Sequence, residues 1–146
     1  MPNEPDNACF VDTNIWLYAF LENEGNGENA RKSAIARKLI RENDAIVSTQ
    51  VINEVCVNLL RQANFTEEQI SNLIEAFYKR YPVKELSKAV LLLASQLRQR
   101  YSLSFWDSTI VAAALSSGAG VLYSEDMQHG LMVEGYLEIR NPFIEK

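Results

Sequence analysis

The chain has 146 residues, close to the commonest size of one domain, and 47% of them are hydrophobic, enough to build a buried core. Its formal net charge is -5, from 19 acidic and 14 basic residues, which argues against a protein that coats nucleic acid through bulk positive charge. This charge balance still allows an enzyme whose acidic residues are gathered at one site.

Cysteine usage and the first residues predict a cytoplasmic protein. Cys9 and Cys56 lie in apolar surroundings, where a buried free thiol is the ordinary interpretation, and their spacing does not resemble a zinc site. Residues 1–7 are polar and unlike a signal peptide, and we expect them to form a disordered tail. No apolar run approaches the length of a membrane span. We therefore expect residues 8–146 to form one domain with no membrane partner.

The first predicted strand ends in polar side chains. Ala8 to Val11 is a short apolar run typical of a buried strand, and Asp12, Thr13 and Asn14 follow it directly. The apolar run over residues 15–20 then predicts a short buried helix. Ligands of parallel α/β sheets bind beyond the carboxyl ends of the strands, so Asp12 lies where such a site would be. For this stretch alone, a helix cap is the simpler interpretation.

Helices and strands alternate along the rest of the chain, which predicts a mostly parallel sheet of four or five strands with helices on both faces. Residues 21–28 and the stretch around Gly130 and Gly135 are predicted loops. Apolar spacing and capping residues predict strands at 45–48, 83–86, 121–124 and 137–140, and helices at 29–42 (capped by Asn29), about 49–63, 66–81 (with a capping box at Thr66), 87–100 (capped by Ser87) and about 104–117.

The apolar spacing also predicts which side chains of the fourth and fifth predicted helices enter the core. The inward-facing residues expected from this spacing are Ile70, Leu73, Ile74, Phe77 and Tyr78 in the fourth helix, and Val90, Leu91, Ala94 and Leu97 in the fifth. The last predicted helix is apolar all round from Ile110 to Leu115, which indicates that it lies at the centre of the fold.

Three further acids stand at positions comparable with that of Asp12. Glu54 lies inside a helix near its apolar stripe, Asp107 is near the start of the central helix, and Asp126 follows a predicted strand. Each has an ordinary explanation as a surface or capping residue. Together, two of the four acids leave strand ends and two lie on helices that must pack against those strands. This coincidence indicates a shared site.

Carboxylates that converge on one site repel one another by roughly 4 kcal/mol per pair at about 4 Å and an effective dielectric constant near 20. Such a cluster persists when protons or a cation neutralise it. Ligands that offer only oxygen atoms select hard cations, Mg²⁺ or Mn²⁺, which commonly serve phosphate chemistry. His129, the only histidine, lies in a predicted loop. This argues against a zinc site or a Ser-His-Asp triad.

The acidic segments resemble the ordered motifs of PIN-domain ribonucleases, above all the VapC-type toxins of bacterial toxin–antitoxin pairs. The segments that carry the resemblance cover nearly the whole chain: Phe10-Val11-Asp12-Thr13-Asn14, Asn53-Glu54-Val55, Phe105-Trp106-Asp107 and Tyr123-Ser124-Glu125-Asp126. The resemblance implies a three-layer PIN-like α/β fold and a Mg²⁺- or Mn²⁺-dependent endoribonuclease that hydrolyses RNA. It also implies a cognate antitoxin that blocks the site, and a homodimer.

The resemblance assigns a role to each acid. Asp12 and Asp107 would bind the metal directly or through water, Glu54 would orient water at the metal or bind through it, and Asp126 would serve a second metal. The side chains expected to hydrogen-bond these carboxylates or the phosphate are Thr13, Asn14 and Ser124, and Glu125 is a neighbour that could replace Asp126. Candidates for a basic rim that holds RNA are Arg61, Lys79, Arg80, Arg98 and Arg100.

Two other functions stay open. A PIN fold could bind RNA or protein without a toxin role or without catalysis. A receiver-type phosphoacceptor domain also gathers acids at strand ends, but its acceptor should follow a strand directly, and Glu54 lies within a helix. A dehalogenase-like phosphatase needs a second acid two residues after Asp12, where Asn14 stands.

Overall fold

The computed structural model describes residues 7–21 and 27–144. Residues 1–6 of the predicted tail and residues 22–26 of the first predicted loop lie outside these ranges. The helices are α1 (Thr13–Phe20), α2 (Glu28–Glu42), α3 (Thr49–Gln62), α4 (Glu67–Arg80), α5 (Lys88–Arg100) and α6 (Phe105–Ser116). The strands are β1 (Ala8–Val11), β2 (Asp44–Ser48), β3 (Val83–Lys84), β4 (Val121–Tyr123), β5 (Met132–Val133) and β6 (Leu137–Arg140). Over the described ranges, we find no helix with the length and apolar character needed to cross a membrane.

The strands form one sheet in the order β3-β2-β1-β4-β6-β5, and every pair is parallel except β5 with β6. The chain adds β2 and β3 on one side of β1, and then crosses to place β4 on the other side. The sheet therefore has its topological switch point between β1 and β4, the place where open α/β sheets bind ligands. The order also differs from the 2-1-3-4-5 order of receiver domains.

The predicted fold class is confirmed, and the sheet has six strands instead of four or five. The additional strand, β5, lies in a stretch that the sequence predicted to be a loop. It is two residues long, too short for an alternating pattern to reveal it. Glu134 and Gly135, both with positive φ, reverse the chain so that β5 pairs with β6.

Two local predictions are wrong. Helix α2 begins at Glu28 after Gly27, so Asn29 lies within its first turn and does not cap it. Ile74, Tyr78 and Leu91 are 37%, 47% and 47% exposed, although the spacing placed them in the core. Helices α4 and α5 pack mainly against α3 and α6, so each buries a narrower stripe than the apolar spacing suggests. The predicted caps of these two helices, Thr66 and Ser87, are confirmed.

The core fixes the two elements that carry the first acid. The indole N–H of Trp16, on α1, donates a hydrogen bond to the carbonyl of Val11, on β1, over 3.0 Å. The Trp16 ring packs edge-on against Phe77 and Tyr81, with centroids 5.0 Å away in both cases. Helix α6, buried continuously over residues 108–114, is the central helix that the sequence predicted.

Candidate functional site

A cavity of about 210 Å³ at the carboxyl ends of β1 and β4 brings the four predicted acids together. The residues that line it are Asp12, Thr13, Asn14, Glu54, Asn58, Trp106, Asp107, Ile110 and Asp126. We call it the acidic cavity. It lies at the switch point of the sheet, beyond the carboxyl ends of the strands, where the sequence predicts that Asp12 contributes to a site.

Asp12 is the most deeply placed of these acids, since only 7% of it is exposed. Its Oδ1 accepts a hydrogen bond from the Thr13 backbone N–H (2.7 Å), which caps α1. Its Oδ2 accepts a hydrogen bond from the Ser124 hydroxyl (2.9 Å). The backbone N–H of Asp12 also donates to the carbonyl of Tyr123, on β4. The side chain is therefore held between the ends of two neighbouring strands.

The surroundings of Asp12 disfavour its ionised form. The pKa of this carboxyl group is raised from 3.8 to about 6, mainly by burial and to a smaller extent by the charges of Glu54 and Asp107. The hydrogen bonds from Thr13 and Ser124 oppose this rise because they stabilise the carboxylate. A cation in the acidic cavity would reverse the balance, since it would stabilise every ionised acid around it.

Glu54 reaches the acidic cavity from the middle of α3. Its Oε1 accepts a hydrogen bond from the Thr13 hydroxyl (2.7 Å), and its Oε2 accepts one from the side-chain amide of Gln50 (3.2 Å). Asn58, one turn further along α3, donates to the backbone carbonyl of Glu54 over 2.8 Å. Both carboxylate oxygens are thus fixed from two helices.

Asp126 is the most exposed acid of the four and lies in the loop after β4. Its Oδ2 accepts a hydrogen bond from the Asn14 amide over 2.7 Å. The Ser124 hydroxyl accepts bonds from the backbone N–H groups of Asp126 and Met127, both at 3.3 Å, while it donates to Asp12. Burial and the charges of neighbouring acids raise the pKa of Asp126. Ser124 and Asn14 therefore hold this loop to the first strand and helix.

Asp107 stands in the first turn of α6, where its charge is favoured by the helix dipole. The cap of this helix is Ser104, whose hydroxyl accepts a hydrogen bond from the Asp107 backbone N–H (3.0 Å). The Asp107 carboxylate itself accepts no hydrogen bond from the described part of the chain. It is half-buried at the acidic cavity, so its oxygens are available to a ligand.

Glu125 lies apart from the four acids. Its carboxylate forms an ion pair with Lys32 and accepts a hydrogen bond from the Tyr18 hydroxyl (3.2 Å). The Lys32 ammonium also lies 5.4 Å from the ring centres of Tyr18 and Phe143. Glu125 therefore ties its loop to α1 and α2, and it is not among the residues that line the acidic cavity.

None of the five predicted basic residues lines the acidic cavity. Arg98 donates a hydrogen bond to the Ser108 hydroxyl (2.7 Å) and stacks on Phe105, and Arg100 pairs with Glu134. The sequence interpretation missed Asn58 and Gln50 at this site. Each stands four residues from Glu54, on the same face of α3, and that spacing is a signal that could have identified them.

The acids around the cavity are of the type that binds hard cations. All four offer oxygen atoms, the Asp107 carboxylate has no protein partner among the described residues, and burial together with neighbouring acids raises the pKa of Asp12. Within the described ranges, however, no three acidic, histidine or cysteine side chains are already arranged to hold a metal ion. The acidic cavity therefore brings suitable ligands together, but their side chains are not already arranged as a coordination shell.

The comparison with protein-family models matches residues 9–130 to the PIN domain. The chain belongs to the PIN domain family. The matched range runs from β1 to the loop after β4 and contains all four acids of the cavity. A search of curated proteins found no match.

Solved structures that resemble this PIN domain include toxins. A toxin–antitoxin complex from Klebsiella pneumoniae contains a chain that is 19% identical, with a TM-score of 0.66 over 92% of this chain and 97% of that one. VapC20 of Mycobacterium tuberculosis, described as a toxin that cleaves the sarcin-ricin loop, is 20% identical, with a TM-score of 0.62 over 81% and 89%. VapBC2 from Rickettsia felis, bound to a promoter DNA fragment, is 18% identical, with a TM-score of 0.60 over 92% and 99%. At these identities the likeness establishes a shared fold.

Proposed function

We propose that this PIN domain is a Mg²⁺- or Mn²⁺-dependent endoribonuclease and the toxin of a VapBC-like type II toxin–antitoxin pair. The observation that carries the enzymatic part is the meeting of four carboxylates, from β1, α3, α6 and the loop after β4, at the switch point of the sheet. The toxin role is supported by the fold shared with toxins, one of which is described as cleaving the sarcin-ricin loop.

Asp12 and Asp107 would hold the cation directly or through water, and Asp126 would complete the site or serve a second ion. A bound divalent cation would neutralise these acids and polarise the phosphodiester. Glu54, fixed by Thr13 and Gln50, would orient the attacking water. In this hydrolysis the water oxygen forms a new bond to phosphorus, the ester bond to the ribose oxygen breaks, and that oxygen takes up a proton.

The supporting hydrogen bonds prepare the carboxylates for this task. Ser124 holds Asp12, Thr13 holds Glu54 and Asn14 holds Asp126, so three of the four acids would reorganise little when a cation enters. Partners that orient metal ligands in this way commonly contribute about 10- to 100-fold to metal affinity or activity. We also propose that residues 8–146 form one domain, that the protein acts in the cytoplasm as a homodimer, and that a cognate antitoxin blocks the acidic cavity.

Cleavage of a mixed RNA pool by the purified protein tests the enzymatic proposal. Mg²⁺ and Mn²⁺ should support cleavage, a chelator should stop it, and Asp12→Asn should abolish it. Asp44→Asn, an exposed acid at the start of β2, is the matched control and should keep full activity. Cleavage that survives the chelator or Asp12→Asn would contradict the proposal. RNA binding without cleavage under any condition would favour a binding module.

A further inference from the structure

A second and larger cavity, of about 660 Å³, opens beside the acidic cavity. We call it the side groove, and its lining residues are Thr49, Gln50, Asn53, Glu54, Leu86 and Trp106. Glu54 and Trp106 line both cavities, so the side groove adjoins the acidic cavity. A chain molecule held at the acids would therefore extend along it.

Trp106 is exposed in a way that packing does not explain. It is 64% exposed, whereas Trp16 is 1% exposed in the core. The ring of Phe105 contacts Trp106 edge-on, with centroids 5.7 Å apart, and the Arg98 guanidinium lies 4.2 Å from the Phe105 ring centre. Phe105 is therefore supported from one side by Arg98, and it supports Trp106 in turn. The indole is an exposed aromatic surface held at the edge of the acidic cavity.

The two amide side chains of the side groove differ in the hydrogen bonds that they make within the protein. Gln50 donates to Glu54 and to the carbonyl of Trp106, and it accepts a hydrogen bond from the Thr109 hydroxyl. It thus braces α3 against α6. The Asn53 side chain is exposed and makes no hydrogen bond within the described part of the chain. Its amide can both donate to and accept from a ligand.

The residues that line the side groove suit a nucleobase better than a phosphate. They include an aromatic ring and neutral amides, and neither Lys nor Arg is among them. The neighbouring acids would repel a phosphate that no cation neutralises. Bases stack on exposed aromatic side chains and offer donors and acceptors at their edges, and they can do so only where the strand is unpaired.

We propose that the side groove is a nucleobase subsite, in which Trp106 stacks on one unpaired base next to the phosphodiester held at the acidic cavity, and Asn53 hydrogen-bonds the edge of that base. This inference rests on the proposed function and places one unpaired nucleotide of its RNA substrate in the side groove. A protein segment could also contact an exposed tryptophan, but the adjoining acids and the polar amide lining favour a nucleotide.

Binding of short single-stranded RNAs of mixed sequence tests the subsite without requiring cleavage. Affinity is measured by fluorescence anisotropy at low salt with Mg²⁺ present, and every protein carries Asp107→Asn so that cleavage is suppressed. Trp106→Ala should weaken binding about tenfold, within the range of one stacked base, while Trp106→Phe keeps most of the affinity. Asn53→Ala should weaken it several-fold. Tyr136→Ala, which removes an exposed aromatic ring outside both cavities, is the matched control and should change nothing.

An abasic nucleotide scanned along the RNA provides an independent measurement. At one position, the missing base should weaken binding about tenfold when the protein retains Trp106. The same missing base should not weaken binding by Trp106→Ala any further, because both changes remove the same contact. Tryptophan fluorescence should be quenched by the RNA only when Trp106 is present, since Trp16 is buried. The subsite would be overturned if Trp106→Ala kept the wild-type affinity, or if the affinity losses from Trp106→Ala and from the abasic nucleotide added up. It would also be overturned if Trp106→Ala weakened binding of duplex RNA equally, or if the protein bound no RNA at all.

The two proposals fail in distinguishable ways. Metal-dependent cleavage that Asp12→Asn abolishes, together with wild-type affinity of Trp106→Ala, would overturn the subsite and leave the nuclease intact. A tenfold loss of RNA affinity in Trp106→Ala, together with no cleavage under any metal condition, would support the subsite and overturn the nuclease. Because Trp106 is largely exposed, Trp106→Ala should unfold at the wild-type temperature, so a loss of binding would not reflect misfolding.

Discussion

Both carboxylate oxygens of Asp12 make hydrogen bonds within the fold, and both can still bind a cation in the acidic cavity. One oxygen caps α1 through the Thr13 N–H, and the other accepts from Ser124. Each carboxylate oxygen offers two lone pairs, so both keep acceptor capacity for a cation. The capping role that the sequence suggested for Asp12 is therefore confirmed, and it is compatible with a metal ligand at the same residue.

The raised pKa of Asp12 predicts a pH dependence of stability. Its pKa is 3.8 in the unfolded reference and about 6 in the fold, so between these values the folded protein holds more protons than the unfolded chain. The free energy of unfolding should therefore fall as the pH rises from about 4 to about 6. Urea unfolding at several pH values, with a chelator present, measures this change in the free energy of unfolding.

The control for this pH effect is Asp12→Asn, which cannot titrate. Its stability should vary less across the same window, with the remaining slope due in part to Asp126, whose pKa is also raised. An unchanged slope in Asp12→Asn would show that the titration belongs to other groups.

A substitution at Asp107 separates effects on cleavage from effects on stability better than a substitution at Asp12. Its carboxylate accepts no hydrogen bond from the described residues, so Asp107→Asn removes only charge. We expect cleavage to fall by a factor on the order of 100 or more, while the free energy of unfolding without metal stays within about 0.5 kcal/mol of wild type or rises. The RNA cleavage assay measures the loss of activity, and urea unfolding measures the change in stability. A large loss of stability would mean that Asp107 is structural.

Helix α6 combines the most buried segment of the fold with an exposed first turn that carries the site. Residues 108–114 are buried, while Phe105 and Trp106 are exposed and Asp107 is half-buried. The Ser104 cap and the Gln50 brace both act on this first turn, from the helix end and from α3. The position of Asp107 therefore depends on the capped end of the helix as well as on its buried body.

A pair of cap substitutions tests this dependence. Ser104→Ala and Thr66→Ala each remove a side-chain cap, of α6 and α4 respectively, and each should cost about 1 kcal/mol of stability. Only Ser104→Ala should also weaken cleavage and metal affinity, because α4 contributes no residue to the acidic cavity. If both variants lose activity in proportion to stability, the cap of α6 has no separate role in positioning Asp107.

At the scale of the whole molecule, the acidic cavity exists only in the folded chain, since its acids come from four separate elements. Binding to the folded state alone stabilises a protein by about 2.7 kcal/mol when the ligand is at 100 times its Kd. Mg²⁺ or Mn²⁺ should therefore raise the melting temperature of the wild type, and raise that of Asp12→Asn and Asp107→Asn much less. Equal shifts in all three proteins would contradict a shared metal site.

The sequence by itself determined the alternation of strands and helices, the caps at Thr66 and Ser87, and the four acids that meet. These are local or periodic features: an apolar run, a capping pattern, or an acid at a strand end is visible without knowledge of its neighbours. The fold class followed because alternating elements can bury their apolar faces in few other ways.

Only the tertiary structure decided which neighbours each acid has. Glu125 and Asp126 are adjacent in the chain, yet one pairs with Lys32 and the other bonds to Asn14. The exposure of Trp106, the brace formed by Gln50 and the raised pKa of Asp12 likewise depend on contacts between α1, α3, α6 and β4. Such contacts join residues far apart in sequence, and the charge, burial and hydrogen bonds they create are properties of the packed molecule.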